Sequence, residues 1–215
     1  MITNVVNSGK SSLTLTLLRL LDLKSGKIYI DGFDISTFPR EVIRSKITTI
    51  PQDPFFLPTR SIRRTLAGSN ISNLSDAQLI RALEKVELLG HSASQLLKPG
   101  EGEGEKLDFT AGNMASDQVA TILDAKMSAF PLSAGQQQLF CLAKAMLQDN
   151  RIVILDEVTS DMDAATEERI RVVLKEELKG RTVLMVAHRP SMLSVCDVVV
   201  ELEGGRVVRV TPEPG

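Results

Sequence analysis

The chain has 215 residues, 43% hydrophobic and 24% charged, the balance of an ordinary folded protein with one domain or a core domain carrying an insertion. Its formal net charge of −2 gives no electrostatic footprint for nucleic acid or anionic lipid, and no nucleic-acid partner is expected. No apolar run approaches the roughly 18–20 residues needed to span a bilayer, and Met1–Asn7 lacks the basic and apolar regions of a signal peptide. Cys141 and Cys196 lie far apart in apolar surroundings without metal-ligand spacing, so buried, reduced thiols and a cytosolic setting are expected.

In chain order, Asn7-Ser8-Gly9-Lys10-Ser11-Ser12 precedes a leucine-rich run. Its Leu13, Leu17, Leu20 and Leu21 recur at helical spacing, so a loop opening into a helix is predicted. Ile28 and Ile30 alternate before Asp31-Gly32, the turn of a short hairpin. Ile47–Ile50 is a brief β-prone run stopped by Pro51. From Leu57 to Gln148 the texture is helical. Asp76–Leu89 places Leu79, Leu83, Val86 and Leu89 on one face behind a Ser75 or Asp76 cap. Gly100–Glu105 alternates glycine and glutamate and reads as a solvated loop. Pro131–Gly135 then leads into a helix from Gln136 to about Gln148.

The last third alternates strand and helix. Arg151–Asp156 is the continuous apolar run of a strand buried on both faces. Ala164–Lys179 is an amphipathic helix with Gly180 at its cap, and Thr182–Ala187 is another buried strand. Val198–Leu202 and Arg206–Val210 suggest a hairpin around Gly204-Gly205. This pattern predicts an α/β fold with a parallel sheet, crossover helices and a helical insertion.

Two local patterns carry chemistry. Phosphate binding needs backbone N–H donors at a helix N-terminus, a mobile ammonium and a hydroxyl for magnesium. Gly9-Lys10-Ser11 supplies them: Lys10 would reach the β- and γ-phosphates and Ser11 would ligate Mg2+. An exposed polar turn is the alternative for so short a motif. The phosphate-loop pattern asks for glycine where Asn4 stands. The second pattern is the buried run ending in Asp156-Glu157. Asp156 would hold Mg2+ through water and Glu157 would polarise an attacking water, the alternative being a strand followed by an acidic turn.

A third pattern lies between them. Leu132-Ser133-Ala134-Gly135-Gln136, followed by Gln137-Gln138-Leu139-Phe140-Cys141-Leu142-Ala143, resembles the signature sequence of ABC ATPases, commonly Leu-Ser-Gly-Gly-Gln. The resemblance implies a P-loop NTPase (RecA-like) core of about 1–56 and 149–215, with an α-helical signature subdomain of about 57–148. It also implies ATP and Mg2+ as ligands. The phosphate loop would comprise Asn4, Asn7, Ser8, Gly9, Lys10, Ser11 and Ser12, with Asn7 where a further glycine is usual. By the same resemblance Leu132, Ser133, Ala134, Gly135 and Gln136 would grip ATP on a second nucleotide-binding domain of a head-to-tail pair. Gln52 would sense Mg2+, Ser160 and Asp163 would lie in the loop crossing the dimer interface, and His188 would contact the γ-phosphate as a catalytic switch.

Ile50-Pro51-Gln52-Asp53-Pro54 and Gln137–Ala143 are most similar to the second ATP-binding domain of multidrug-resistance-associated (C subfamily) exporters. Partner transmembrane domains at the cytoplasmic face of a membrane are implied, with Phe55 and Phe56 as a docking surface or, alternatively, as core. The resemblance further implies that the domain begins upstream of Met1. The upstream part would hold antiparallel strands, an adenine-stacking aromatic residue and most of the strand feeding the phosphate loop, so the isolated chain is expected to bind ATP weakly. Two other readings are a catalytically impaired remnant and a soluble ABC ATPase of translation or DNA maintenance.

Overall fold

The computed structural model describes residues 2–3 (backbone only), 9–68, 73–90, 96–97, 112–158, 162–187 and 189–212. The chain divides into two compact units. The first comprises Met1–Gln52, Asn150–Ser160 and Leu178–Gly215, and the second Asp53–Asp149 with Asp161–Glu177. The sequence boundaries near 56 and 149 differ chiefly in assigning residues 161–177 to the first unit.

The first unit is an α/β layer. Its elements in chain order are β1 (Ile2–Thr3), α1 (Lys10–Leu17), β2 (Tyr29–Ile30), β3 (Phe33–Asp34), α2 (Arg40–Ser45), β4 (Ile47–Ile50), β5 (Ile152–Asp156), β6 (Thr182–Val186), β7 (Val198–Glu203) and β8 (Arg206–Pro212). Among the described residues, one sheet runs β4-β5-β6-β1-β7-β8. The first five strands are parallel and β8 closes the edge antiparallel to β7. Val153, Ile154 and Leu155 of β5 are fully buried, as expected for a parallel strand covered on both faces. On one face Ile47 and Ile154 pack with Ile35 and Ile43, and Leu17, Leu18, Ile28 and Ile30 lie against that cluster. β2 and β3 form the expected hairpin, with Asp31 (φ 51°) and Gly32 (φ 81°) both left-handed, as a type I′ turn requires.

α1 is shorter than the leucine spacing implies. Arg19 turns left-handed (φ 52°), its N–H donates to Thr16 O at 2.9 Å, and Leu20 N–H donates to Leu15 O at 2.8 Å. This pair of bonds is the Schellman closure of a helix. Arg44 locks it by donating from Nε to Leu18 O (3.0 Å) and from Nη2 to Arg19 O (3.2 Å). Leu20 and Leu21 therefore fall beyond the helix and are exposed, as is Leu13.

The second unit is helical: α3 (Ile62–Ala67), α4 (Asp76–Lys85), α5 (Ser116–Asp124), α6 (Ala134–Met146) and α7 (Ala164–Glu176). α4 begins with a reciprocal cap between Ser75 and Gln78 and buries Leu79 and Leu83. It ends at Lys85 through the same closure as α1, with Glu87 left-handed (φ 59°) and Leu88 N–H donating to Leu83 O at 2.9 Å. Val86 and Leu89 are buried beyond the helix end. α7 likewise ends three residues before Lys179, and the left-handed Gly180 (φ 83°) turns the chain toward β6. The loop predicted at Gly100–Glu105 lies outside the described residues.

Arg63 of α3 joins the helices by donating to Asp124 Oδ1 (2.8 Å) and Asp76 Oδ2 (3.0 Å). At the centre, Phe140 is fully buried, edge-on to Phe56 with ring centroids 5.1 Å apart and 6.3 Å from Phe130. Truncating Phe140 removes these contacts and leaves a cavity. Phe140→Ala should cost about 3–5 kcal/mol, read as a lower denaturant midpoint at unchanged slope; a loss under about 1 kcal/mol would contradict this packing.

Candidate functional site

The parallel strands of the first unit deliver their C-terminal ends to one edge. Val186 of β6 pairs with Asp156 of β5 on one side and with Ile2 of β1 on the other. Ile50 of β4 pairs with Leu155, so Gln52 leaves the sheet at this edge and is exposed. β1 leads through residues 4–8 to Gly9 and the first turn of α1. Gly9 precedes that helix in the left-handed region (φ 91°), and a Cβ there would stand 3.4 Å from Gly205 Cα in the β7–β8 turn. The left-handed backbone favours glycine, while the approach to Gly205 is an ordinary van der Waals contact. Lys10, in the first turn of α1, is only 6% exposed, whereas Ser11 and Ser12 are exposed.

The electrostatics tie Lys10 to the paired carboxylates. Burial pushes the Asp156 carboxyl above its usual range, the neighbouring Glu157 charge adds to the rise, and the Lys10 ammonium pulls it back. Lys10, Asp156 and Glu157 therefore share one electrostatic environment. Glu157 is itself left-handed (φ 50°), and its N–H donates to Val186 O at 3.0 Å. A non-glycine residue in this region costs about 1–3 kcal/mol and persists only where its surroundings hold it there. The bond to Val186 supplies that hold.

Ser133, Ala134, Gly135 and Gln136 belong to the second unit. Ser133 is exposed and caps α6: its Oγ accepts from Gln136 N–H at 3.3 Å, while Gln136 Oε1 accepts from Ser133 N–H at 3.0 Å. The helix thus begins at Ala134, two residues before its predicted start. Gln137 Nε2 donates to Leu132 O at 3.2 Å. Asp163 caps α7 with its carboxylate, accepting from Thr166 N–H (2.9 Å) and Thr166 Oγ1 (2.7 Å), and these bonds lower its pKa. Phe55 is 81% exposed beside a cavity also lined by Phe56, Pro58, Met127, Phe130 and Leu132.

Asn4, Asn7, Ser8, Ser160 and His188 lie outside the described residues. Sequence reasoning did not single out Val186 or Thr166, because a strand valine and a helix threonine carry no local signal of the partners they meet. Cys141 is half-buried, its thiol pushed up to about 11 by burial, and Cys196 is buried with its thiol donating to Met192 O at 3.2 Å. Neither forms a disulfide. Among the described residues no cluster of three His, Cys, Asp or Glu side chains is placed to hold a metal, and no helix is long and apolar enough to cross a membrane.

An acid whose folded-state pKa is raised opposes folding once it is ionised. The cost is absent below the unfolded carboxylate value of about 3.9, grows as pH rises through the window up to the raised value, and is complete above it. Asp156→Asn should therefore raise the thermal midpoint at pH 7, and this gain should shrink as the pH is lowered through that window. Melting curves from pH 3 to 8 test this, and an asparagine variant less stable at every pH would contradict it.

The profile of the ABC transporter family matches residues 7–160. ABC transporter gloK of Glarea lozoyensis is 41% identical over 201 residues, covering 94% of this chain and 13% of that protein. Bile pigment transporter 1 of Saccharomyces cerevisiae is 35% identical over 208 residues, covering 93% and 12%. ATP-binding cassette sub-family C member 2 of Homo sapiens is 34% identical over 201 residues, covering 94% and 11%. The chain thus spans 11–13% of the length of these relatives. A solved bacterial Atm1-family ABC exporter with ATP bound shares the fold, with a TM-score of 0.77 at 23% identity over 98% of this chain and 33% of that one. With most of its length inside the family profile and a parallel sheet that gathers Lys10, Asp156 and Glu157 at one edge, the chain belongs to the ABC transporter family.

Proposed function

We propose that this chain binds and hydrolyses ATP to drive export through partner membrane domains. The observation that carries the reading is the buried Lys10 at the N-terminus of α1, close enough to act on the Asp156 charge beside Glu157. A helix N-terminus with a lysine in its first turn suits polyphosphate. In this reading Lys10 and the N–H groups of the Gly9–Ser12 turn hold the phosphates.

The oxygen donors fit a hard divalent cation. The Ser11 hydroxyl, the Gln52 amide oxygen and the Asp156 carboxylate would hold Mg2+, and the upward shift at Asp156 is what an added positive charge would relieve. When bound, Mg2+ would neutralise phosphate charge. The Glu157 carboxylate would orient water against the γ-phosphorus and accept its proton as the bond to the bridging oxygen breaks, leaving ADP and phosphate. Ser133, Ala134, Gly135 and Gln136 would meet ATP held by a second, head-to-tail copy of the domain. Ser160, Asp163 and His188 keep the interface and γ-phosphate roles expected from the sequence.

The membrane partner is proposed to dock at Phe55. Phe56 already packs on Phe140 within the second unit, whereas Phe55 stands 81% exposed at the rim of the apolar cavity. An exposed aromatic ring beside an apolar cavity suits insertion of a short helix from a membrane domain.

Phosphate release by the full-length transporter tests the catalytic reading. Glu157→Gln should lower it by about 10²–10⁴-fold, and equal rates in the two proteins would favour a catalytically impaired remnant. Phe55→Asp should weaken assembly with the membrane domains and uncouple transport from hydrolysis while leaving the domain's thermal midpoint within about 1 °C; intact assembly and coupling would remove Phe55 from the docking surface.

A further inference from the structure

Gly135 is not explained by backbone conformation. It lies in the first turn of α6, and its φ is not in the left-handed region that favours glycine. Glycine inside a helix costs about 0.5–1 kcal/mol relative to alanine, and the neighbouring Ala134 shows that this turn accepts a methyl group. The difference lies in what each position faces. A Cβ at Gly135 would stand 2.8 Å from Thr166 Cγ2, 3.4 Å from Thr166 Oγ1 and 3.5 Å from Thr166 Cβ. Carbon atoms pack best about 3.5–4.0 Å apart, so the first contact is an overlap.

Thr166 has little freedom to yield. Its Oγ1 donates to Asp163 Oδ2 at 2.7 Å and its N–H donates to Asp163 Oδ1 at 2.9 Å. A β-branched side chain tethered in this way is held near one rotamer. The overlap must then be relieved by moving the first turn of α6 away from the first turn of α7. The moving end carries Ser133.

We propose that Thr166 is a positioning residue: fixed by the Asp163 cap, it sets the seat of the Ser133–Gln136 turn, and position 135 is glycine because that seat has no room for a Cβ. This rests on the reading of Ser133–Gln136 as the segment that meets ATP on a second copy. A displacement of about 1 Å in a positioning group can cost up to about 10²-fold in rate, so the packing has a catalytic consequence.

The test is size complementation in the full-length transporter, with kcat and KM for ATP and the thermal midpoint measured for each variant. Gly135→Ala should lower kcat roughly tenfold to a hundredfold with little change in KM, since Lys10 and its turn, not this segment, hold the domain's own ATP. Thr166→Ser deletes the obstructing Cγ2 but keeps the hydroxyl bonded to Asp163; because it loosens the seat without displacing the turn, it should lower kcat less than Gly135→Ala does. The double variant Gly135→Ala with Thr166→Ser should recover most of the lost kcat and midpoint, or recover assembly if Gly135→Ala alone fails to assemble. A double variant no better than Gly135→Ala, or a Gly135→Ala protein as active and stable as the parent, overturns the proposal. The midpoints report the packing even where the parent shows no Glu157-dependent phosphate release, so loss of the ATPase reading and loss of this proposal are separable.

Discussion

Val186 is the position about which the charged end of the sheet is assembled. It is fully buried, pairs with Asp156 on one flank and Ile2 on the other, and its carbonyl accepts the N–H of Glu157. Three consequences follow from this one residue. The strand that ends in carboxylates and the strand that leads toward Lys10 are brought into register two strands apart. The left-handed turn at Glu157 is pinned. Both acidic groups stay at the edge where α1 begins. A slip of one residue in a parallel strand exchanges the two faces of the sheet, so this register is a precondition for the Lys10–Asp156 interaction.

That interaction is held at a cost. Burial and the neighbouring Glu157 both push the Asp156 carboxyl above its usual range, and Lys10 only partly offsets them. Glu157 occupies a backbone region that L residues rarely adopt. Gly9 can be left-handed because it lacks a side chain. These strained features cluster at one edge, while the rest of the first unit is an apolar sheet packed on Ile35, Ile43 and neighbouring leucines. Such a division is expected where local strain is retained for binding and offset by packing elsewhere.

The second unit meets a different constraint: the segment proposed to meet nucleotide is also a helix start. Ser133 and Gln136 satisfy each other's backbone groups, and Asp163 does the same for α7 through Thr166. Caps stabilise a helix and fix where it begins. The turn proposed for nucleotide contact therefore carries its own cap, and Thr166 of α7 stands where a side chain at Gly135 would have to go. The Arg63 bridge to Asp76 and Asp124 and the buried Phe140 hold the helices behind it.

Much of the local structure was legible in the residues alone. Gly9-Lys10-Ser11 at a helix start, Asp156-Glu157 at a strand end, the Asp31-Gly32 turn and the cap at Ser75 depend on neighbours within about four residues, and such short-range rules survive folding. The ends of α1 and α4 were not legible, because Arg19 and Glu87 take the left-handed role usually given to glycine. Folding also decided the raised pKa of Asp156, the strained Glu157 held by Val186, and the closed space at Gly135. Each depends on groups distant in the chain, on a burial or a register that no window of sequence contains. Residue identity determined which reactive groups are present; only packing decided which of them feel one another's charge and which have room to move.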